Sequence, residues 1–474
     1  MRVAFLSPEV VPFAKTGGLA DVAAALPKAL REQGIDAVVV LPLFAQIDRA
    51  LLKGPPEEIP VEWRGRVKPT PVWRSNASGV PAYLIDAPEY FSRASIYGES
   101  DDHERFAFFS RAALTTFRYF NWQPDVIHGN DWPCGFAIIE LRARRRFDPF
   151  FQKTRTLFTI HNLAYQGRFD AGDLWWLGFG DQPDRNDFML DGTASALKAG
   201  LIAADALSTV SRRYALEIQT PEHGYGLDWL LRMRSDRLAG ITNGVDYNVW
   251  NPATDPHIAA NFSANDLSGK LECKRDLLRR FGLSDQTERP VMAVISRLVA
   301  QKGYDLIRQV AGEILDSGSF FIVLGAGARE YEDFLQRMHD TAPRQVGFYK
   351  GYAGEPLAHQ IEAGADMFLM PSAYEPCGLN QMYSMRYATV PIVRATGGLD
   401  DTVVNYDSAQ GTGNGFKFGP YQAGALLDKI REALYFYTKP AAWQQIQRNG
   451  MLADNSWSAA AVKYTELYQE VAKL

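Results

Sequence analysis

Two copies of the string Thr-Gly-Gly-Leu-x-Asp, at residues 16–21 and 396–401, each follow an apolar run and open a stretch of helical spacing. Glycines at a strand-to-helix turn let backbone amides approach an anion, and the helix start adds the positive end of a dipole. In the first copy Lys15 adds a full charge beside Gly17 and Gly18. A tight turn with no ligand would read the same way, so both readings stand for each copy. Ser296-Arg297-Leu298 closes another apolar run, and Lys302-Gly303 follows shortly after. An arginine fork and a lysine point charge at one strand end suit a diphosphate, although solvated surface charge reads alike. Ala373-Tyr374-Glu375-Pro376-Cys377-Gly378-Leu379 brings a carboxylate to a further strand end. Gly378 and Leu379 could offer amides at a helix start; taken alone, the segment is ordinary capping chemistry.

His128-Gly129-Asn130-Asp131-Trp132 and His161-Asn162-Leu163-Ala164-Tyr165-Gln166 also end apolar runs. Polar groups on two such ends can converge on one site, whereas each histidine alone is as well explained by a structural role. Leu324-Gly325-Ala326-Gly327 begins like a dinucleotide fingerprint, but Glu330 occupies the third glycine's position. That pattern reads as a tight turn and argues against a nicotinamide oxidoreductase.

The elements that must position these groups alternate. Residues 3–6 form a short apolar run, and Leu19, Val22, Ala23, Leu26 and Leu30 then share one helical face. Gly34 suits the end of that helix, and residues 37–41 form a run buried on both faces. Residues 55–100 predict short antiparallel strands. From Glu104 the order is helix, strand (125–131), helix, strand (155–164), then a strand at 206–211 and a helix. The second half repeats the plan from residue 290 onward. It reads as strand 290–298, helix 304–315, strand 320–327, helix 329–340 and further alternation to residue 395. Such β-α alternation predicts doubly wound parallel sheets with ligands at the carboxyl ends of strands. The predicted domains are 1–245 and 246–455, with a terminal helix over 456–474. The charged stretch 253–288 reads as an irregular entry to the second domain.

At 474 residues the chain is long enough for two ordinary cores. A net charge of −5 argues against a broad phosphodiester-binding surface and so against nucleic acid. Cys134, Cys273 and Cys377 are far apart and form no ligand cluster, which predicts neither a zinc site nor a disulfide framework. Pro8 and Glu9 interrupt the first apolar run, and no uncharged run reaches membrane-spanning length. The expected setting is the cytoplasm, with no membrane partner.

Taken together, KTGGLADV, HGNDW, TIHNLAYQG, STVS, ITNGVD, SRLVAQKG, LGAGAREYE, YEPCGLNQ and TGGLDDTV resemble the bacterial glycogen synthases and plastid starch synthases, across almost the whole chain. That resemblance implies a GT-B fold: two Rossmann-like doubly wound α/β domains with a deep inter-domain cleft, and a last helix returning to the first domain. It implies glucose transfer from ADP-glucose to the 4-hydroxyl at the non-reducing end of an α-1,4-glucan or malto-oligosaccharide, with retention and without a metal or other cofactor. Lys15, Arg297 and Lys302 would contact the donor phosphates, with Gly17, Gly18 and Thr402 beside them. Tyr352 would stack on the adenine. Glu375, Cys377, Gly378 and Leu379 would hold the glucosyl unit and the nearby phosphate. Asp131, His161, Asn162 and Asn243 would surround the sugar and the acceptor, with Tyr97 on the acceptor side. The departing diphosphate could take the acceptor's proton on the same face. One position departs from the family: Pro133 follows Asp131-Trp132 where a histidine or glutamine is usual. The loop after Tyr352 is also slightly long. Two other readings remain: a retaining transferase with a different nucleotide sugar, and a glucan-binding scaffold without turnover.

Overall fold

The computed structural model describes residues 1–181, 184–351 and 354–474. The chain divides into two compact units, residues 1–244 with 457–474, and residues 245–456.

In the first unit nine strands form one sheet. Their spatial order is Leu238–Gly240, Ala206–Thr209, Arg155–Ile160, Val126–Asn130, Arg2–Leu6, Asp36–Pro42, Ala82–Ile85, Arg66–Ser75 and Lys53–Trp63. Only the last two junctions are antiparallel. Val38, Val39, Val40 and Leu41 are buried, because a central parallel strand has helices on both faces. Within the segment expected to form short antiparallel strands, Lys53–Trp63 and Arg66–Ser75 make a hairpin whose Arg64-Gly65 turn has positive φ at both residues, the turn whose twist matches its strands. The Gly18–Glu32 helix buries the face its spacing predicted. On it packs the chain's last helix, Trp457–Val471, which buries Ala460, Ala461, Tyr464 and Tyr468.

The second unit has a six-stranded, all-parallel sheet ordered Val346–Lys350, Phe320–Gly325, Val291–Ile295, Met367–Met370, Val390–Arg394 and Phe416–Phe418. Two details differ from expectation. The helix expected over 304–315 is two short helices, Tyr304–Gln309 and Ala311–Asp316, separated at Val310. The stretch expected to be irregular contains the helix Ser268–Arg280. Its inward face carries Lys270 and Lys274 beside Cys273 and Leu277, so an apolar periodicity was absent. Those ammonium groups are satisfied internally. Lys270 Nζ donates to the carbonyls of Ala363 and Tyr387, and Lys274 Nζ lies 2.6 Å from Asp366 Oδ2.

Candidate active site

Arg2–Leu6 and Val126–Asn130 pair in parallel, with Leu6 opposite Gly129. The strand order reverses there, so the loops leaving their carboxyl ends diverge and open a crevice. Into this edge the first loop sends Glu9, which is only 3% exposed. Its Oε2 accepts from the amides of Thr16 and Gly17, the latter at 3.1 Å. Its Oε1 accepts from Thr16 Oγ1 and Tyr97 Oη, both at 2.7 Å. An internal carboxylate thus accepts from the amides of Thr16 and Gly17 that the phosphate-cradle reading offers to an anion. Gly18 begins the helix behind it. Lys15 is exposed, with Nζ 2.7 Å from Asp21 Oδ1, so the last residue of the motif partners the cation before it. Burial and the Glu9 carboxylate push the Tyr97 hydroxyl well above its ordinary pKa, which keeps it a donor.

Asp131 leaves its strand with φ 55° and ψ 178°, a conformation that L-residues seldom hold outside functional sites. Its Oδ1 accepts from the amides of His161 at 2.7 Å and Asn162 at 3.4 Å. Burial raises its pKa to about 7; the two amides oppose that rise and Glu9 adds to it. His161 Nε2 lies 2.9 Å from Asn130 Oδ1, and Asn130 Nδ2 donates to the Leu6 carbonyl at 3.0 Å. With the carbonyl oxygen of Asn130 as acceptor, Nε2 carries the hydrogen. Burial lowers the His161 pKa to about 3, so the ring is neutral near pH 7. Asn130 thus ties three strand ends together. His128 belongs to the core instead. Its Nδ1 meets Tyr468 Oη at 2.7 Å and its Nε2 meets Thr159 Oγ1 at 2.5 Å.

Pro133 fits the first turn of the short helix Trp132–Cys134, where a missing N–H leaves no bond unmade. Trp132 packs edge-on to Phe106 and lies 6.4 Å from the Tyr97 ring. Asn243 follows the edge strand and shares no hydrogen bond with this group. Its buried Oδ1 has no hydrogen-bond partner among the described residues.

In the second unit the order reverses between Val291–Ile295 and Met367–Met370. Lys302 follows the first of these strands and Glu375 the second. Lys302 Nζ lies 2.5 Å from Glu375 Oε2, which also accepts from Ser372 Oγ at 3.1 Å. Glu375 is buried, Arg297 exposed. Gly303 has φ +78°, and a Cβ there would overlap the Pro371 carbonyl, so glycine is required to hold Lys302 against the neighbouring strand end. A backbone bond from Ala373 N to the Gln301 carbonyl and a side-chain bond from Gln301 Nε2 to the Tyr374 carbonyl fasten the two loops. The amides of Gly378 and Leu379 make no hydrogen bond among the described residues.

The second glycine loop has a packing role. At Gly397 (φ +44°) and Gly398 a Cβ would overlap the carbonyls of Glu375 and Cys377. Its glycines therefore admit the Glu375 loop, which differs from what Gly17 and Gly18 do. Thr402 Oγ1 is engaged locally, donating to the Gly398 carbonyl at 2.6 Å and accepting from Gln381 Nε2. Cys377 is buried, and its carbonyl accepts from Gln381 Nε2 at 3.2 Å. Tyr352 lies outside the described residues. The Gly325 to Gly327 turn bridges Leu298, and so supports the Arg297 strand end.

The sequence reading passed over Glu9, Ser372 and Gln301. Glu9 stands three residues beyond an apolar strand, so the rule that singled out Asp131 would have found it. Among the described residues no group of three or more His, Cys, Asp or Glu side chains is placed to hold a metal, and no helix is long and apolar enough to cross a membrane.

Two Rossmann-like units, each with charged and polar groups at its switch point, define the GT-B class of glycosyltransferases. Comparison with known proteins agrees. Residues 2–233 match the starch synthase catalytic domain, and residues 278–449 match glycosyl transferases group 1. The chain is 44% identical to glycogen synthase of Koribacter versatilis over 100% of this chain and 99% of that one. It is 43% identical to glycogen synthase of Moorella thermoacetica over 99% and 96%. The catalytic domain of starch synthase IV from Arabidopsis thaliana, bound to ADP and acarbose, superposes with a TM-score of 0.91. Identity there is 34%, covering 100% of this chain and 99% of that one. A sucrose-phosphate synthase from Thermosynechococcus elongatus shares the fold at 17% identity and a TM-score of 0.63. This chain belongs to the glycogen and starch synthase family.

Proposed function

We infer that this protein is a retaining glucosyltransferase that moves glucose from ADP-glucose to the non-reducing end of an α-1,4-glucan. The observation that carries the reading is the Lys302–Glu375 pair beside two open amides at a switch point, in a chain 44% identical along its whole length to a glycogen synthase. The Arabidopsis relative bound to ADP and acarbose supports a nucleotide and a glucan-like ligand here.

Breaking the donor's glycosidic bond places positive charge on the sugar and negative charge on the departing diphosphate. Arg297 and Lys302 take up the diphosphate charge, and the amides of Gly378 and Leu379 add donors. Glu375 holds Lys302 in place and presents its carboxylate to the sugar. Asp131, when ionised, stabilises the electron-poor ring, and neutral His161, its Nε2–H committed to Asn130, leaves Nδ1 to accept from a sugar hydroxyl. Tyr97 and Asn243 serve the acceptor side, and Tyr352 serves the adenine. The diphosphate takes the acceptor's proton on the face it leaves, which gives retention. No metal is assigned, because the cations replace it. Three buried free cysteines fit the reducing cytoplasm.

The test is incubation of the purified protein with ADP-glucose and glycogen, with UDP-glucose as competitor. ADP release, chain lengthening and an α-linked product are expected, undiminished by a chelator. Failure to lengthen any glucan refutes the reading.

A further inference from the structure

We propose that Arg105 is a positioning residue for the transfer reaction: its guanidinium grips both feet of the loop that presents Tyr97, and so sets where the acceptor is met. The proposal rests on the inferred transferase activity only for the acceptor-side role of Tyr97.

Residues 92–101 leave the short helix Pro88–Phe91 and end at the helix Asp102–Tyr119. Most of this loop faces solvent. Ser92, Ala94, Ser95, Gly98 and Ser100 are exposed, and only Ile96 is buried. A loop with so little buried surface has little packing to fix a side chain, so polar ties must do it.

Arg105 supplies those ties. It is 0% exposed and among the largest fully buried side chains of the chain. Its Nε donates to the Tyr90 carbonyl at 2.7 Å, just before the loop begins. Its Nη1 donates to Asp102 Oδ1, where the loop ends. Asp102 Oδ2 accepts from the Gly98 amide at 2.8 Å, so the peptide after Tyr97 hangs from the same pair. Gly98 has φ 97°, which glycine adopts without strain. Tyr97 Oη then reaches Glu9 Oε1 at 2.7 Å, and Glu9 gathers the amides of Thr16 and Gly17. The tie therefore runs from Arg105 through Tyr97 to the first glycine loop. The Tyr97 ring also lies 6.0 Å from Phe106, the neighbour of Arg105, and 6.4 Å from Trp132, the neighbour of Asp131.

Stability alone does not account for this arginine. A charge held away from water is costly even when paired, and apolar side chains of like volume often serve a core as well. Here the pairing is also incomplete: Nη2 is buried and has no hydrogen-bond partner among the described residues. A guanidinium does one thing that neither an apolar chain nor a lysine does, which is to donate in two fixed directions from one plane. Two fixed directions are what a loop with separate feet needs.

The experiment compares wild type with Arg105→Lys, Arg105→Met and the double variant Arg105→Met/Asp102→Asn. Lysine keeps the charge and one tie. Methionine keeps bulk and removes both. The double variant leaves no lone carboxylate and keeps an acceptor for the Gly98 amide. Hydrogen exchange over residues 92–101 should quicken roughly tenfold in the methionine variants, with Val126–Asn130 and Arg155–Ile160 unchanged. The KM for maltotriose should rise about tenfold, with the KM for ADP-glucose and kcat within about twofold of wild type. Arg105→Lys should fall between. Wild-type exchange and KM in a folded variant overturn the proposal. So does faster exchange with both KM values unchanged, which means that the loop does not meet the acceptor. A fall in kcat alone marks a smaller folded fraction and also overturns it. If Arg105→Met misfolds by circular dichroism, the double variant decides; if both misfold, Arg105 supports the core and the proposal is wrong. Should wild type transfer no glucose, the functional reading fails, while exchange still decides whether Arg105 holds the loop.

Discussion

Asp131 combines an unusual backbone angle, two amide donors and a pKa raised to about 7 by burial. An unfolded aspartic acid ionises near about 4, so the unfolded chain loses this proton first as pH rises. Below that value the side chain imposes no difference between the states. Between it and about 7 folded stability declines, because the fold resists the charge. Asp131→Asn removes the slope. Its thermal midpoint should gain on wild type steadily from pH 4 to pH 8. Activity should move the other way. With the carboxylate as the working form, wild-type kcat/KM climbs through about pH 7, and Asp131→Asn falls roughly 100-fold below it and loses that limb. A stability difference independent of pH would remove the argument from burial.

At the scale of elements, the two glycine loops show how one string can serve two packings. In the first, Glu9 satisfies the turn and Tyr97 together. Glu9→Gln keeps the shape but turns an acceptor into a donor facing donors, which costs about 1–3 kcal/mol for the unmatched group. We expect a thermal midpoint lower by several degrees and kcat/KM at least about tenfold lower, with the loss greater for the acceptor's KM than for the donor's. Unchanged kinetics would show that the loop holds itself. In the second loop, Gly397→Ala drives a methyl into the Glu375 carbonyl at positive φ. The Glu375 loop must retreat, so donor binding should fail by calorimetric titration with ADP while the first unit keeps its fold. Wild-type ADP affinity in that variant would refute the packing role.

Those loops also mark how far the sequence could be read. The β-α alternation announces both sheets, and the strand-end rule finds Lys302, Glu375, Asp131 and His161. It cannot say which acid occupies an amide nest, since Glu9 and a phosphate satisfy the same donors. It cannot separate His128 from His161 either. Both end strands, and only the returning Tyr468 hydroxyl makes His128 part of the core. The Ser268–Arg280 helix escaped notice because lysines replace apolar residues on its inner face, a choice that depends on carbonyls distant in sequence.

Across the whole molecule, sequence order and unit membership part company, because residues 457–474 complete the unit that the first 244 residues begin. Each unit has its own buried polar group whose removal tests that division. In the first, Tyr468→Phe leaves His128 Nδ1 without its partner, a loss of about 1–3 kcal/mol for a buried group. In the second, Glu362 is buried, accepts from Ser384 Oγ at 2.6 Å, and has its pKa raised to about 8 by burial. A carboxyl with a raised pKa leaves stability untouched below its unfolded value and erodes it as pH climbs toward about 8, so Glu362→Gln should stabilise at pH 8 and do little at pH 4. Lys270 runs oppositely: burial lowers its pKa to about 8, so its own cost is full on the acid side and fades above that value. Hydrogen exchange read peptide by peptide separates the effects. Tyr468→Phe should speed exchange in Val126–Asn130, Arg155–Ile160 and the terminal helix, and leave the second unit's strands unchanged. Glu362→Gln at pH 8 should slow exchange in Val291–Ile295 and Met367–Met370 alone. If either substitution moves both sheets equally, the two units unfold as one body and the division into separate stabilities is wrong.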